Sequence, residues 1–202
     1  MTATADARTR SLRRGLSLER LTIGYNALEG VVAIAAGLAA GSVALTGFGI
    51  DSVIEISSGA LLLWRLRAEL GSPPVGPAVE VRARRAAGAL LLALAVYLVV
   101  ESARRLLTQA RPEESVVGIV LTALSLVVMP VLARAKLRTA HALNSRALRV
   151  DAHETIVCAW LSLTTLAGLA LNAGLSWWWA DPVAALVMLP LIVREGLEAW
   201  RG

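Results

Sequence analysis

Six stretches of the chain are apolar for about the thickness of a membrane, and polar or basic residues fall between them. A spanning helix needs about 20 mostly apolar residues. The pattern predicts such helices over roughly residues 20–41, 44–65, 85–107, 114–134, 148–171 and 178–199. The fourth carries no charge between Ser115 and Ala133, and the sixth is entered through Trp177, Trp178 and Trp179. Such an aromatic cluster suits a membrane interface. The connections are short. Gly41 to Thr46 leaves room only for a tight turn, and the Pro-rich run Gly71–Pro77 reads as a loop. The expected fold is all-α, an integral membrane bundle of six transmembrane helices. Residues 1–19 read as a basic tail and residues 20–202 as one transmembrane domain.

Composition narrows the function classes. Of 202 residues, 56% are hydrophobic and 17% are charged, against about 25% charged in soluble domains. That balance argues against a soluble enzyme and against disorder. The single cysteine, Cys158, excludes a disulfide scaffold and a CxxC zinc motif. The net charge of +5 would suggest nucleic acid in a soluble protein. Here the basic residues flank apolar runs, and no aromatic-basic recognition motif accompanies them. Seventeen Lys and Arg fall on one side of the predicted bundle and three, Arg104, Arg105 and Arg111, on the other. The asymmetry places both termini in the cytoplasm. The segment around Arg8, Arg10, Arg13, Arg14 and Arg20 lacks the apolar core of a signal peptide. A multi-pass protein of the plasma or inner membrane is expected, with the lipid bilayer as partner and no nucleic acid.

The chemistry lies in ionisable groups at membrane depth, where each costs several kcal/mol unless paired, hydrated or ion-bound. Asp51 and Glu55 stand one turn apart on the second helix, about 40° around its axis. As a bare pair they repel; with a cation or a shared proton between them they do not. On the fifth helix Asp151, Glu154 and Cys158 fall within about 60° of one another, whereas His153 points about 140° away from Cys158. A lone cysteine on an apolar helix is ordinarily a packing residue. Sharing a face with Glu154 makes Cys158 a candidate ligand. Asp51, Glu55, Glu154 and Cys158 are thus the candidate metal ligands, and carboxylates plus a thiolate suit zinc or a similar ion. Glu29 and Glu101 are expected to hydrogen-bond to Ser, Thr or Asn of neighbouring helices. Asp151 and Asp181 are read as helix caps, with a helper role at the ion as the alternative for Asp151. Tyr25 and Asn26 could add oxygen ligands. Gly30, Gly37 and Gly41 are expected to let helices pack closely. No protease pattern such as HExxH occurs, so neither an enzyme nor a resident cofactor is expected.

Three motifs together resemble the cation diffusion facilitator family. Ser42-Val-Ala-Leu-Thr-Gly-Phe-Gly-Ile-Asp51-Ser-Val-Ile-Glu55 is similar to its second helix, with a small Ser-containing turn and an acidic pair. Arg149-Val-Asp151 followed by Glu154-xxx-Cys158 is similar to its fifth, and Ala180-Asp181-Pro182 leading to Arg194-Glu195-Gly196 to its sixth. By position, Asp51 and Glu55 match the helix 2 ligands, Glu154 the family's histidine and Cys158 its aspartate. The resemblance implies a homodimeric exporter that exchanges a divalent metal for protons by alternating access. The sequence departs from the family in stopping at Gly202, right after the sixth helix, so the family's usual cytoplasmic C-terminal domain is expected to be missing. The altered Glu–Cys pair motivates an alternative, a non-transporting scaffold or regulatory subunit on the same fold.

Overall fold

A computed structural model describes residues 2–71 and 77–201. The described residues form six helices and no strand: α1 (Thr2–Ala40), α2 (Val43–Ala68), α3 (Pro77–Thr108), α4 (Val116–Leu143), α5 (Arg146–Leu175) and α6 (Ala180–Arg201). Most of the expected Gly71–Pro77 loop lies outside the described residues. Five helices are long and apolar enough to cross a membrane: Asp6–Ala40, Val43–Ala68, Arg84–Thr108, Val116–Leu143 and Arg146–Leu175. The sixth expected span is not among them. Its uncharged run, Pro182–Val193, is 12 residues, or about 18 Å of helix against a hydrocarbon core of about 30 Å.

Helix ends follow local chemistry. Gly41 takes φ 63° after α1, and the Ser42 amide donates back to the Gly37 carbonyl at 2.8 Å. This left-handed exit suits a glycine. Ser42 then caps α2, its Oγ accepting from the Leu45 amide at 3.0 Å. Between α4 and α5 the connection is only Asn144 and Ser145. Asn144 is left-handed and Ser145 is extended, with its Oγ accepting from the Leu148 amide.

Two boundaries differ in substance from the sequence reading. Residues 2–19 are the first turns of α1 rather than a separate tail. Leu12 and Leu16 are buried against Leu62, Leu66, Ala140, Leu143 and Leu148. α4 runs on through residues 135–143, which the charge pattern assigns to a connection. Charge at a helix end looks the same in sequence whether it faces solvent or another helix. Packing decided the matter here.

In the bundle, α1 packs on α2 and α4, and α5 packs on α4 and α2, making a four-helix ring. α3 pairs with α6, and this pair joins the ring through α2 and α5. Small residues allow the close crossings. A Cβ on Gly30 would stand 2.8 Å from Val53, one on Gly37 2.5 Å from Thr46 Oγ1, and one on Gly88 2.7 Å from the Gly196 carbonyl. Gly30 and Gly37 therefore serve packing as expected, while Gly41 serves the turn. The polarity is that of a membrane protein. Leu28, Val31, Leu38, Val96, Val120 and Val131 face outward, while Glu19, Asn26, Glu29, Asp51, Ser125 and Lys136 are buried. Trp177 and Trp179 stack at 5.1 Å between ring centres at the start of α6.

Candidate metal site

Four helices bring acids to one region of the interior. α2 supplies Asp51, which is 2% exposed, and Glu55 one turn later. α1 supplies Glu29, 1% exposed, and α5 supplies the fully buried Cys158 with Glu154 one turn before it. α6 supplies Glu195. Glu55 lies in the fields of Asp51, Glu29, Glu154 and Glu195, and Cys158 in those of Glu55, Glu29 and Asp51. Glu195 lies in those of Asp51 and Glu154. The four residues predicted as ligands thus share one electrostatic neighbourhood with Glu29 and Glu195. Among the described residues no three His, Cys, Asp or Glu side chains stand close enough to form a coordination shell. The carboxylates surround one another without converging, as like charges do.

Hydrogen bonds fix the surrounding wall. Glu29 Oε2 accepts from Ser52 Oγ at 2.8 Å and lies 3.9 Å from the Cys158 thiol. Its other oxygen accepts from Ser125 Oγ, which in turn meets the Tyr25 hydroxyl at 2.8 Å. The serine partners are those expected for Glu29. The contact with the cysteine moves this residue from the background into the site. Asn26 Nδ2 donates to Glu55 Oε2 at 2.9 Å, and Asn26 Oδ1 is buried with no hydrogen-bond partner among the described residues. A buried amide oxygen without a donor is costly, and it is chemically suited to a hard cation.

Several expectations are corrected. Asp151 does not cap α5; Ser145 does. The Asp151 carboxylate instead accepts from Lys136 Nζ at 2.6 Å. Asp181 lies in the first turn of α6 but caps a different helix. It accepts from Ser42 Oγ at 2.5 Å and from the Val43 amide at 2.8 Å, so it anchors the start of α2. Among the described residues Glu101 bonds to no Ser, Thr or Asn. It pairs with Arg104 and Arg105 on its own helix at 2.5 and 3.0 Å. His153 is exposed, away from the acids, as its helical angle implies.

Sequence reasoning passed over Glu195 and Lys136. Glu195 was visible in the spacing. Asp181, Ala184, Ala185, Met188, Ile192 and Gly196 form the buried stripe of α6, and Glu195 follows Met188 by seven and Ile192 by three, on that stripe. Lys136 was hidden among Arg134, Arg138, Arg146 and Arg149 in the supposed connection between the fourth and fifth helices.

Comparison with known proteins gives a consistent picture. The pattern that defines the cation efflux transmembrane domain matches residues 21–201. A protein of Synechocystis described as an uncharacterized transporter is 29% identical over 155 residues, covering 72% of this chain. The match spans 49% of that relative, so the chain corresponds to about half its length.

Proposed function

The chain belongs to the cation efflux transmembrane domain family, and from that premise we propose that it exports a divalent metal ion in exchange for protons. One observation carries the reading. Glu55 lies in the fields of four other acids, Glu29, Asp51, Glu154 and Glu195, inside an apolar bundle. Cations that bear on them include Lys136, near Glu154, and Arg194, near Glu195. So much negative charge at membrane depth requires a mobile cation or bound protons. The relative's description as a transporter supports the same reading.

In the proposed cycle, Asp51, Glu55, Glu154 and Cys158 release protons and bind the metal from the cytoplasm. The Asn26 oxygen and Glu29 lie at hand to support it. Rocking of the helices then turns the site outward, where protons reclaim the same groups and release the ion. A ligand must be deprotonated to bind, so metal and proton movements are linked by shared atoms. Carboxylates with a single thiolate favour zinc or a similar borderline ion. The distribution of basic residues supports cytoplasmic termini in the plasma membrane, and the family resemblance supports a homodimer.

The test is zinc-driven proton flux in proteoliposomes. Asp51→Asn should abolish it in a protein that still purifies as the wild type does, and unchanged flux would refute the reading. Lowering the pH on the loading side should raise the apparent KM for zinc, because protons then compete for each ligand. A KM independent of pH would separate metal movement from these acids.

A further inference from the structure

A second polar cluster lies toward the end of the bundle that carries both chain termini. Lys136 of α4 is 1% exposed. Its ammonium donates to Asp151 Oδ2 at 2.6 Å and to Thr155 Oγ1 at 3.3 Å, both on α5. It also faces Glu19 of α1, with Oε1 at 3.2 Å and Oε2 at 3.4 Å. The two carboxylates are held unequally. Asp151 has a short, well-made bond. Glu19 is 0% exposed and held by the longer contact to the same ammonium and by the neighbouring Asp151 carboxyl; among the described residues its Oε1 has no hydrogen-bond partner. A buried carboxylate oxygen so placed is a berth that a small motion of Lys136 would fill.

Two cavities meet at this cluster. The larger, about 410 Å³, lies between α2, α3 and α5, and its lining includes Arg84, Arg146, Asp151 and Glu154. The smaller has room for about one water. Its lining includes Asn26, Glu55, Lys136, Asp151, Glu154 and Thr155. Asp151 and Glu154 line both. They stand three residues apart on α5, so their side chains are neighbours on one helix face. An ion passing from the larger cavity toward Glu55 meets this pair, and Asn26, with its unpartnered buried oxygen, lines the cavity beyond.

We propose that Asp151 and Glu154 form a capture site for the divalent cation, guarded by Lys136, which shifts from Asp151 to Glu19 when the ion arrives. This rests on the transport reading above and adds an entry step to it. In the resting arrangement the ammonium occupies Asp151 and blocks it from other cations. A divalent ion competes for Asp151. The displaced ammonium keeps a carboxylate partner throughout, because Glu19 is already within reach. No bond other than ionic and hydrogen bonds is made or broken. Monovalent ions offer Asp151 no more charge than Lys136 does, so the exchange selects for divalent ones.

The experiment measures zinc flux against zinc concentration in proteoliposomes of the full chain. Asp151→Asn should raise KM about tenfold while the maximal rate stays within about twofold. The double variant Glu19→Gln/Lys136→Met, which leaves Asp151 without its guard, should lower KM below the wild-type value. Loss of a merely structural contact does not tighten substrate capture. An unchanged or raised KM in the double variant, or an Asp151→Asn variant altered only in maximal rate, overturns the proposal. Calorimetric zinc titration of purified protein gives an answer that does not need flux. Asp51→Asn should retain a weak zinc site that Asp51→Asn/Asp151→Asn lacks; identical titrations of the two overturn the proposal. Failure of the transport reading is separate, being unchanged flux in Asp51→Asn.

Discussion

The interior holds two acidic clusters, and they are neutralised differently. Around Asp51 and Glu55, the acids are held by neutral donors: Ser52 and Ser125 on Glu29, Asn26 on Glu55. Around Asp151, two acids share a lysine built into the chain. A hydroxyl or amide orients a carboxylate without cancelling its charge, whereas an ammonium does both. The first arrangement leaves charge available for something that comes and goes. The second holds its own cation at rest, one ammonium between two carboxylates, and ties α1, α4 and α5 together. Burial is therefore a poor guide to role by itself. The nature of the partner separates a site that waits for an ion from one that must give up its own cation to take it.

The sharpest way to break the comparison is to swap the consequences of charge removal. Lys136→Met strands two buried carboxylates and should cost about 3–5 kcal/mol, read as a large loss of thermal stability in detergent. Lys136→Arg should recover part of it. Asp51→Asn removes a charge that its neighbours repel, so it should leave stability equal or improved even as flux disappears. If Asp51→Asn destabilises as much as Lys136→Met, the two clusters are alike and the distinction fails. Next in size, Gly37→Val forces a side chain into Thr46 at the α1–α2 crossing. It should cost about 1–3 kcal/mol, with thermal melting as the measure, and should affect both clusters because α1 serves both. Smallest is Ser42→Ala, which removes the cap of α2 and should cost about 1 kcal/mol. It lies far from both clusters along α2, so KM for zinc should stay as in the wild type.

Five of the six helices were legible because a membrane imposes a length on apolar runs that no soluble core demands, whereas the uncharged run of α6 falls short of that length. The acidic pair on α2 and the Glu–Cys pair on α5 were legible for a related reason, since charge inside such a run is conspicuous. Lys136 was not, because it sits where a span gives way to basic residues and nothing local marks which of them turns inward. The first turns of α1 offered a signal that charge concealed. Leu12, Leu16 and Glu19 follow one another by four and three, a buried stripe, among arginines that read as a tail. Asp181 was recognisable as a cap, but only the folded arrangement reveals that the helix it caps is α2. Long-range choice of partner is the information that periodicity does not contain.

The crossing of α3 and α6 carries a mechanical consequence. The Gly88 and Gly196 backbones approach so closely that no side chain fits between them, and Glu195 precedes that contact by one residue. A crossing of bare backbones resists sliding apart yet offers little to stop pivoting. Because Glu195 sits beside this fulcrum, a pivot of α6 on α3 moves its carboxylate least while the ends of both helices swing furthest, so the two peripheral helices can tilt without drawing Glu195 away from Asp51.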